Sequence, residues 1–352
     1  MRSWRLRLRL RAAIRDLNPG YFALVMATGI VSKAMRLDGA ARLSGLLLGA
    51  GIVAYVLLAV AYAWRLAGYR REFLADARDP GRAFAFFTFT AASDVLAARL
   101  AGDGHTVAPA VLMAAGVVGW LLLSYSLPLL LVGTHGPQPA LAGANGTWFI
   151  WVVASQSVAV AATSLHPPVP GALVAIAVGC WAVGVVLYLL IAALVAVALL
   201  TYPVRPAELT PPYWVFMGAT AISVLAGAQI LELPPDPLST SVRDVVAGLS
   251  VVLWAFGTWL IPLLLAAGAW RHLLHRVQLA YEPGLWSIVF PVGMYGVASH
   301  ELGSALSVSW LVTLGRYEAW LALAVWAVVF LAMAGTLLRS ARLPDPSAPA
   351  SQ

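Results

Sequence analysis

Five times along this chain a Pro- or Gly-containing turn runs directly into an aromatic residue and then into an apolar stretch broken by small and hydroxyl residues. The copies are NPGYFALVMATGIVS from Asn18, DPGRAFAFFTFTAAS from Asp79, NGTWFIWVVASQSVA from Asn145, PPYWVFMGATAISVL from Pro211 and EPGLWSIVFPVGMYG from Glu282. Such an entry sets a helix to begin abruptly at a membrane surface. Between successive copies lies one longer, smoother aliphatic segment. The repeating unit therefore reads as a helical hairpin of one small-residue helix and one aliphatic helix, and five hairpins make ten spans.

Composition bears on what surrounds those hairpins. With 61% hydrophobic and only 11% charged residues, and a mean hydropathy of +0.85, an ordinary soluble domain is excluded. The fold class expected is an all-α polytopic membrane protein. The formal charge of +7 does not call for a nucleic-acid partner, because the basic residues gather in loops and near the N-terminus, where membrane orientation explains them. Lys33 is the single lysine and Cys180 the single cysteine, so neither an internal disulfide nor a thiolate metal cluster can form. No metal and no cofactor are expected.

Residues 1–17 form a basic arm of alternating Arg and Leu with no apolar signal-peptide core, expected to stay cytoplasmic as a topology anchor, with anionic lipid binding as the alternative. The membrane domain takes residues 18–342. Its spans are predicted at about 20–35, 43–65, 83–100, 107–132, 148–165, 171–200, 213–231, 245–270, 285–308 and 317–338. At 1.5 Å per residue these cross roughly 30 Å of hydrocarbon, with tilt or burial taking up the shorter ones. Gly45 and Gly49 in the second span make a small-xxx-small face expected to pack within the subunit. Span nine is expected to be broken at Pro291. A Gly/Pro/Gln loop precedes span five, His166-Pro-Pro turns the chain into span six, and residues 343–352 form a Pro/Ser/Ala tail expected to be disordered.

Orientation follows from charge. With the N-terminus inside, inner loops and ends hold sixteen basic residues and the outer side six, namely Lys33, Arg36, Arg42, Arg99, Arg243 and Arg316. Both termini are therefore expected in the cytoplasm of a cell, on the plasma membrane. The five template turns then share one side and the odd spans run parallel from a common start, which allows a ring. Spans two, four, six and ten, dominated by Leu, Val and Ala, suit lipid. Small residues in the odd spans have two readings, close helix packing or the wall of a passage.

The templates at Asn18, Asn145 and Pro211, together with WSIVFPVGMYGVAS from Trp286, resemble the tellurite-resistance/dicarboxylate transporter family. That family includes the TehA proteins, yeast malate and sulfite carriers and the slow-type plant anion channels. The resemblance covers Asn18 to about Arg342. It implies a quasi-five-fold ring of five hairpins around a central pore lined by the odd helices, commonly in a homotrimer, carrying small anions such as malate, tellurite, sulfite, chloride or nitrate. It also implies that Phe290, matching the family's pore-plugging phenylalanine, is the gate; the residue alone reads first as a packing aromatic before a kinking Pro291.

Counting from the template glycines, Met26, Phe87, Val152 and Gly218 fall at a similar depth to Phe290 and suggest an apolar constriction. Lys33 and Asp94 each lie thirteen residues beyond their template glycines, Gly20 and Gly81, so the expectation is that they pair near the outer mouth, with snorkelling of Lys33 as the alternative. Arg99, His300 and Glu301 are further candidates for this outer mouth, with interfacial anchoring as the alternative. Thr28, Ser32, Ser155, Gln156, Thr220, Ser223 and Gln229 are candidate donors along a pore wall or, alternatively, interhelical hydrogen-bonding groups.

An enzyme is not expected. His300-Glu301-Leu302-Gly303 lacks a second zinc-binding histidine, and neither G-x-S-x-G nor a phosphate-binding Gly-rich loop is present. A receptor or scaffold without transport is a further alternative. Between a passive channel and a proton-coupled carrier, coupling needs a buried titratable group, for which Asp94 is the one candidate.

Overall fold

A Pro/Gly turn supplies few backbone donors, so a helix entered through one must bond its first residues differently. In the computed structural model, which describes residues 10–133, 139–165 and 170–342, all five templates solve this with tight three-residue turns. The first has Tyr21 N–H bonded to the Asn18 carbonyl and Ala23 N–H to that of Gly20. The others are short 3-10 segments at Ala83–Phe87, Gly146–Trp148, Pro211–Trp214 and Pro283–Leu285. Side-chain oxygens of Asn18, Asp79 and Asn145 each accept, at 2.8 Å, the backbone N–H two residues on, fixing the turns as local Asx motifs.

The helices that follow are α1 (Ala23–Leu37), α2 (Ala41–Gly68), α3 (Thr88–Ala101), α4 (Val107–Gly133), α5 (Phe149–Ser164), α6 (Gly171–Thr201), α7 (Val215–Leu231), α8 (Pro237–Ala269), α9 (Trp286–Ala305) and α10 (Ser309–Arg342). A short surface helix, Arg70–Arg78, lies between α2 and α3. The described residues contain no strand. Residues 1–9 of the basic arm, part of the loop before α5, the His166-Pro-Pro turn and the tail at 343–352 lie outside the described residues.

Eight of these helices, counting their 3-10 entries, are long and apolar enough to cross a membrane. The two that are not, α1 and α9, have 15 and 20 residues, and α9 carries His300 and Glu301. Both are enclosed by other helices, so neither needs a lipid-facing apolar surface. In the most apolar stretches of α3, α5 and α7, 83% of residues are buried, against 11–33% in α2, α4, α6, α8 and α10. The chain therefore builds an inner layer from its small-residue helices and an outer layer from its aliphatic ones. Each inner helix packs on the outer helix that follows it, and α1–α3, α3–α5, α5–α7, α7–α9 and α9–α1 also touch, which closes a circuit of the five inner helices.

Glycines set the distance between layers. A Cβ on Gly116 or Gly119 of α4 would run into Asp94 or Thr90 of α3, and one on Gly184 of α6 or Gly257 of α8 would run into Gln156 or Thr220. Outer-helix glycines thus make room for inner-helix polar side chains. The expected intramolecular role of Gly45 and Gly49 is not found. Both are exposed with nothing near their Cβ positions, because Ser44, Leu47, Leu48 and Gly51 form the buried face of α2. The expected break at Pro291 is also absent. It lies inside a continuous α9, in the second turn, where its ring packs against Gly218 of α7.

Candidate functional site

The inner helices enclose a cavity at each end. One, of about 540 Å³, lies among the template turns and is lined by residues that include Asn18, Gly20, Arg82, Thr88, Asn145, Ile150, Tyr213, Glu282 and Ser287. The turns bond to one another around it: Asn145 Nδ2–H donates to the Gly81 carbonyl at 3.1 Å and Trp148 Nε1–H to that of Pro80 at 2.8 Å. Arg82 is the one cation among its described lining residues, facing Asp79, Glu208 and Glu282. An ion-pair chain behind the rim steadies it, with Asp76 accepting from Arg82 at 2.8 Å and from the buried Arg65 at 2.7 Å. Beside α9, Trp286 Nε1–H donates to the Tyr281 hydroxyl at 3.2 Å, and burial pushes that phenol above its ordinary range.

At the opposite end, a cavity of about 260 Å³ is lined by Lys33, Arg36, Leu37, Ala98, Arg99, Gly102, Ser164 and Gln229. Its charges are mostly held. Lys33 Nζ lies 3.0 Å from Glu301, Arg99 lies 2.8 Å from Asp103, and Arg36 also pairs with Asp103. Arg99 further donates to Ser32 Oγ at 3.0 Å and Ser44 Oγ at 2.7 Å, tying α1, α2 and α3 together.

The expected Lys33–Asp94 pair is therefore not formed. Equal distance from a turn sets equal height but not rotation about the helix axis. Asp94 turns into the wedge between α3, α4 and α5, 0% exposed, where Ser157 Oγ–H donates to its Oδ2 at 2.8 Å. Lys33 turns instead toward α9.

The candidate wall donors also resolve by rotation. Trp326 of α10 donates to Thr28 at 3.0 Å, Trp120 of α4 to Ser155 at 2.8 Å, and Gln156 Nε2–H to the Trp181 carbonyl at 3.1 Å. Thr220 and Ser223 bond to their own helix, at Met217 and Ala219, while the Ser223 carbonyl accepts from Trp181. Ser32 bonds to Ser44 and Arg99. These six bond within their own helix or to neighbouring helices. Gln229 alone of the seven lines a cavity, its Oε1 accepting from Thr163 at 2.9 Å. Hydroxyl and amide groups on a helix enclosed on all sides are equally compatible with either direction, which is why spacing could not separate the two readings.

Phe290 is 1% exposed and lies three residues beyond Ser287, on the helix face that lines the cavity among the template turns. Met26 and Val152 are buried as well. Phe87 is engaged otherwise, stacked on Phe84 and on Trp151, whose Nε1–H reaches Ser124 of α4. Gly218 faces the Pro291 ring. The sequence alone assigns Glu301 no partner, and it does not single out Ser157, which stands seven residues from both Ile150 and Ser164, lining opposite cavities.

A family model described as voltage-dependent anion channel (SLAC1) matches residues 16–334. An uncharacterized membrane protein of Mycobacterium tuberculosis is 54% identical over 160 residues, 44% of this chain and 81% of that protein. Two uncharacterized transporters of Methanocaldococcus jannaschii are similar over nearly the whole length. One is 23% identical over 328 residues, covering 90% of this chain and 92% of its own, and the other is 20% identical over 334 residues, covering 92% and 95%.

Proposed function

The chain belongs to the SLAC1 voltage-dependent anion channel family, and on that premise we propose that it conducts small anions through a passage between α1, α3, α5, α7 and α9, closed at Phe290. The observation that carries the reading is the closed circuit of five buried helices with a cavity at each end. In this reading all ten long helices span the membrane as a quasi-five-fold ring, residues 18–342 form the transport domain, and the arm at 1–17 and tail at 343–352 lie with the template turns in the cytoplasm of a plasma-membrane protein. The exposed apolar faces of α2, α4, α6, α8 and α10 meet lipid and neighbouring copies in a homotrimer with one passage per subunit.

The chemistry of the closed state is exclusion. A large ring at a neck flanked by Met26 and Val152 leaves an ion no room to keep its hydration shell, and stripping that shell in apolar surroundings costs several kcal/mol. Lys33, Arg36 and Arg99 raise the anion concentration at the outer mouth, and Gln229 and Ser164 offer neutral donors or acceptors there. Fixed charge is sparse along the wall, which suits a conduit of broad selectivity, for chloride, nitrate, sulfite, tellurite or a C4-dicarboxylate such as malate. Flux from proteoliposomes holding the purified protein, screened over these anions with and without a pH gradient, tests the proposal. Anion release above protein-free vesicles supports it, and release of none of them refutes it. A second reading, a proton-coupled carrier, is favoured by one specific observation, the uncompensated carboxyl group of Asp94.

A further inference from the structure

Asp94 is the described acidic side chain most thoroughly enclosed by the spanning helices. It is 0% exposed, its Oδ2 accepts from Ser157 of α5, and its Oδ1 is buried without a hydrogen-bond partner. Gly116 of α4 leaves the space the carboxyl group fills; a Cβ there would overlap it. No described cation reaches it. On its own helix Arg99 is held by Ser32, Ser44 and Asp103, and from α1 Lys33 is held by Glu301. The titratable groups on other elements that interact with its charge are neutral ones, Tyr55 of α2, whose hydroxyl bonds to Ser93, and Cys180 of α6. Burying a carboxylate with no counter-charge is costly, and with no described cation in reach a proton is the partner that can neutralise it.

Ser157 connects this group to the passage. Ile150 lines the inner cavity and Ser164 the outer one, and Ser157 stands seven residues from each, about 10 Å along the axis and on nearly the same helix face. Asp94 lies behind it, away from the axis. We propose that Asp94 is a proton-binding site that controls whether Ser157 can offer its hydrogen to a passing anion. This rests on the passage proposed above.

When Asp94 is ionised, the single Ser157 hydrogen is drawn to Oδ2. Protonation forms an O–H bond on Oδ2 and breaks one in a hydronium ion or water of the passage. The carboxyl group then donates to Ser157 Oγ, and the serine hydrogen is released toward the passage, where an anion competes for it with the Ala154 carbonyl, 2.8 Å away. One proton taken up behind the wall thus becomes one hydrogen-bond donor on it. No redox partner or other co-reactant is needed.

The test is chloride flux from proteoliposomes as a function of pH, with infrared spectroscopy of the same protein. In the wild type, flux should be greater at acid than at alkaline pH by about tenfold, the factor a hydrogen bond to a charged group is worth. Asp94→Asn, whose amide donates permanently to Ser157 Oγ, should hold the acid-level flux at every pH. Ser157→Ala should lose the acid enhancement. The infrared spectrum at acid pH should contain a protonated-carboxyl stretch that Asp94→Asn removes, a readout independent of flux and of gating. Flux without pH dependence, an Asp94→Asn profile matching the wild type, or a missing carboxyl band each overturns the coupling alone. A wild type with no flux at any pH contradicts the passage itself and the coupling with it.

Discussion

Replacing Asp76 by Asn removes the carboxylate that serves two arginines at the rim of the cavity among the template turns. Arg65 is the sensitive partner, because its side chain is 3% exposed and already has Nη1 buried without an acceptor. Its remaining bonds are Nη2 to Asp76 at 2.7 Å and Nε to the Arg15 carbonyl at 3.0 Å. Leaving a buried charge without its partner costs about 3–5 kcal/mol, and the oxygen that Asn retains places the expected loss near the lower bound. The Arg82 half of the chain is 44% exposed on its arginine side and adds at most about 1 kcal/mol. A total near 3 kcal/mol is roughly two orders of magnitude in the folding equilibrium. Reversible unfolding in mixed detergent micelles measures it, with Arg82→Gln as the control expected to fall within about 1 kcal/mol of wild type. Arg65→Met combined with Asp76→Leu should recover most of the loss, since apolar side chains of similar size replace a buried pair at little cost. An Asp76→Asn protein within about 1 kcal/mol of wild type, or a double variant no better than the single, would refute the reasoning.

Three further outcomes follow from the same geometry. In a double-mutant cycle, Lys33→Met and Glu301→Gln should be non-additive by about 0.5–1 kcal/mol, while Lys33→Met and Asp94→Asn should add; coupling to Asp94 instead would return the pair expected from spacing. Gly184→Ala places a methyl group against the Gln156 carboxamide and should destabilise by about 1–3 kcal/mol, with no loss at all contradicting the close approach of α5 and α6. On a Cys180-free background, cysteines at Ala144 and Leu209 should resist impermeant labelling from outside cells, and labelling at both would reverse the orientation.

The repeat was legible because each hairpin announces itself twice, by a Pro/Gly turn that needs local capping and by a change from small to aliphatic residues. Helix ends agree within a few residues where such turns punctuate the chain. They depart most at α8 and α10, which begin at Pro237 and Ser309, eight residues before each expected span. Hydropathy marks where a helix turns aliphatic, and both helices begin with a polar or charged turn ahead of that stretch, α8 with Asp236 as its cap accepting from Leu238 at 2.9 Å. Rotation of the inner helices was not legible. Thr28, Ser155 and Gln156 sit on helices buried on every side, so no polar stripe distinguishes passage from neighbour, and their partners Trp326, Trp120 and Trp181 are on other helices. The Lys33–Glu301 pair joins the first inner helix to the last, a closure visible only once the circuit is formed.

Closure of the passage by Phe290 is read out by single-channel recording of Phe290→Ala in planar bilayers. Deleting a buried ring costs roughly 3–5 kcal/mol if the side chain serves only to pack, so expression level and oligomer size are read alongside the current. A gate at Phe290 gives larger anion currents than wild type from a protein of unchanged size; a variant that folds normally and conducts no more than wild type rules that gate out.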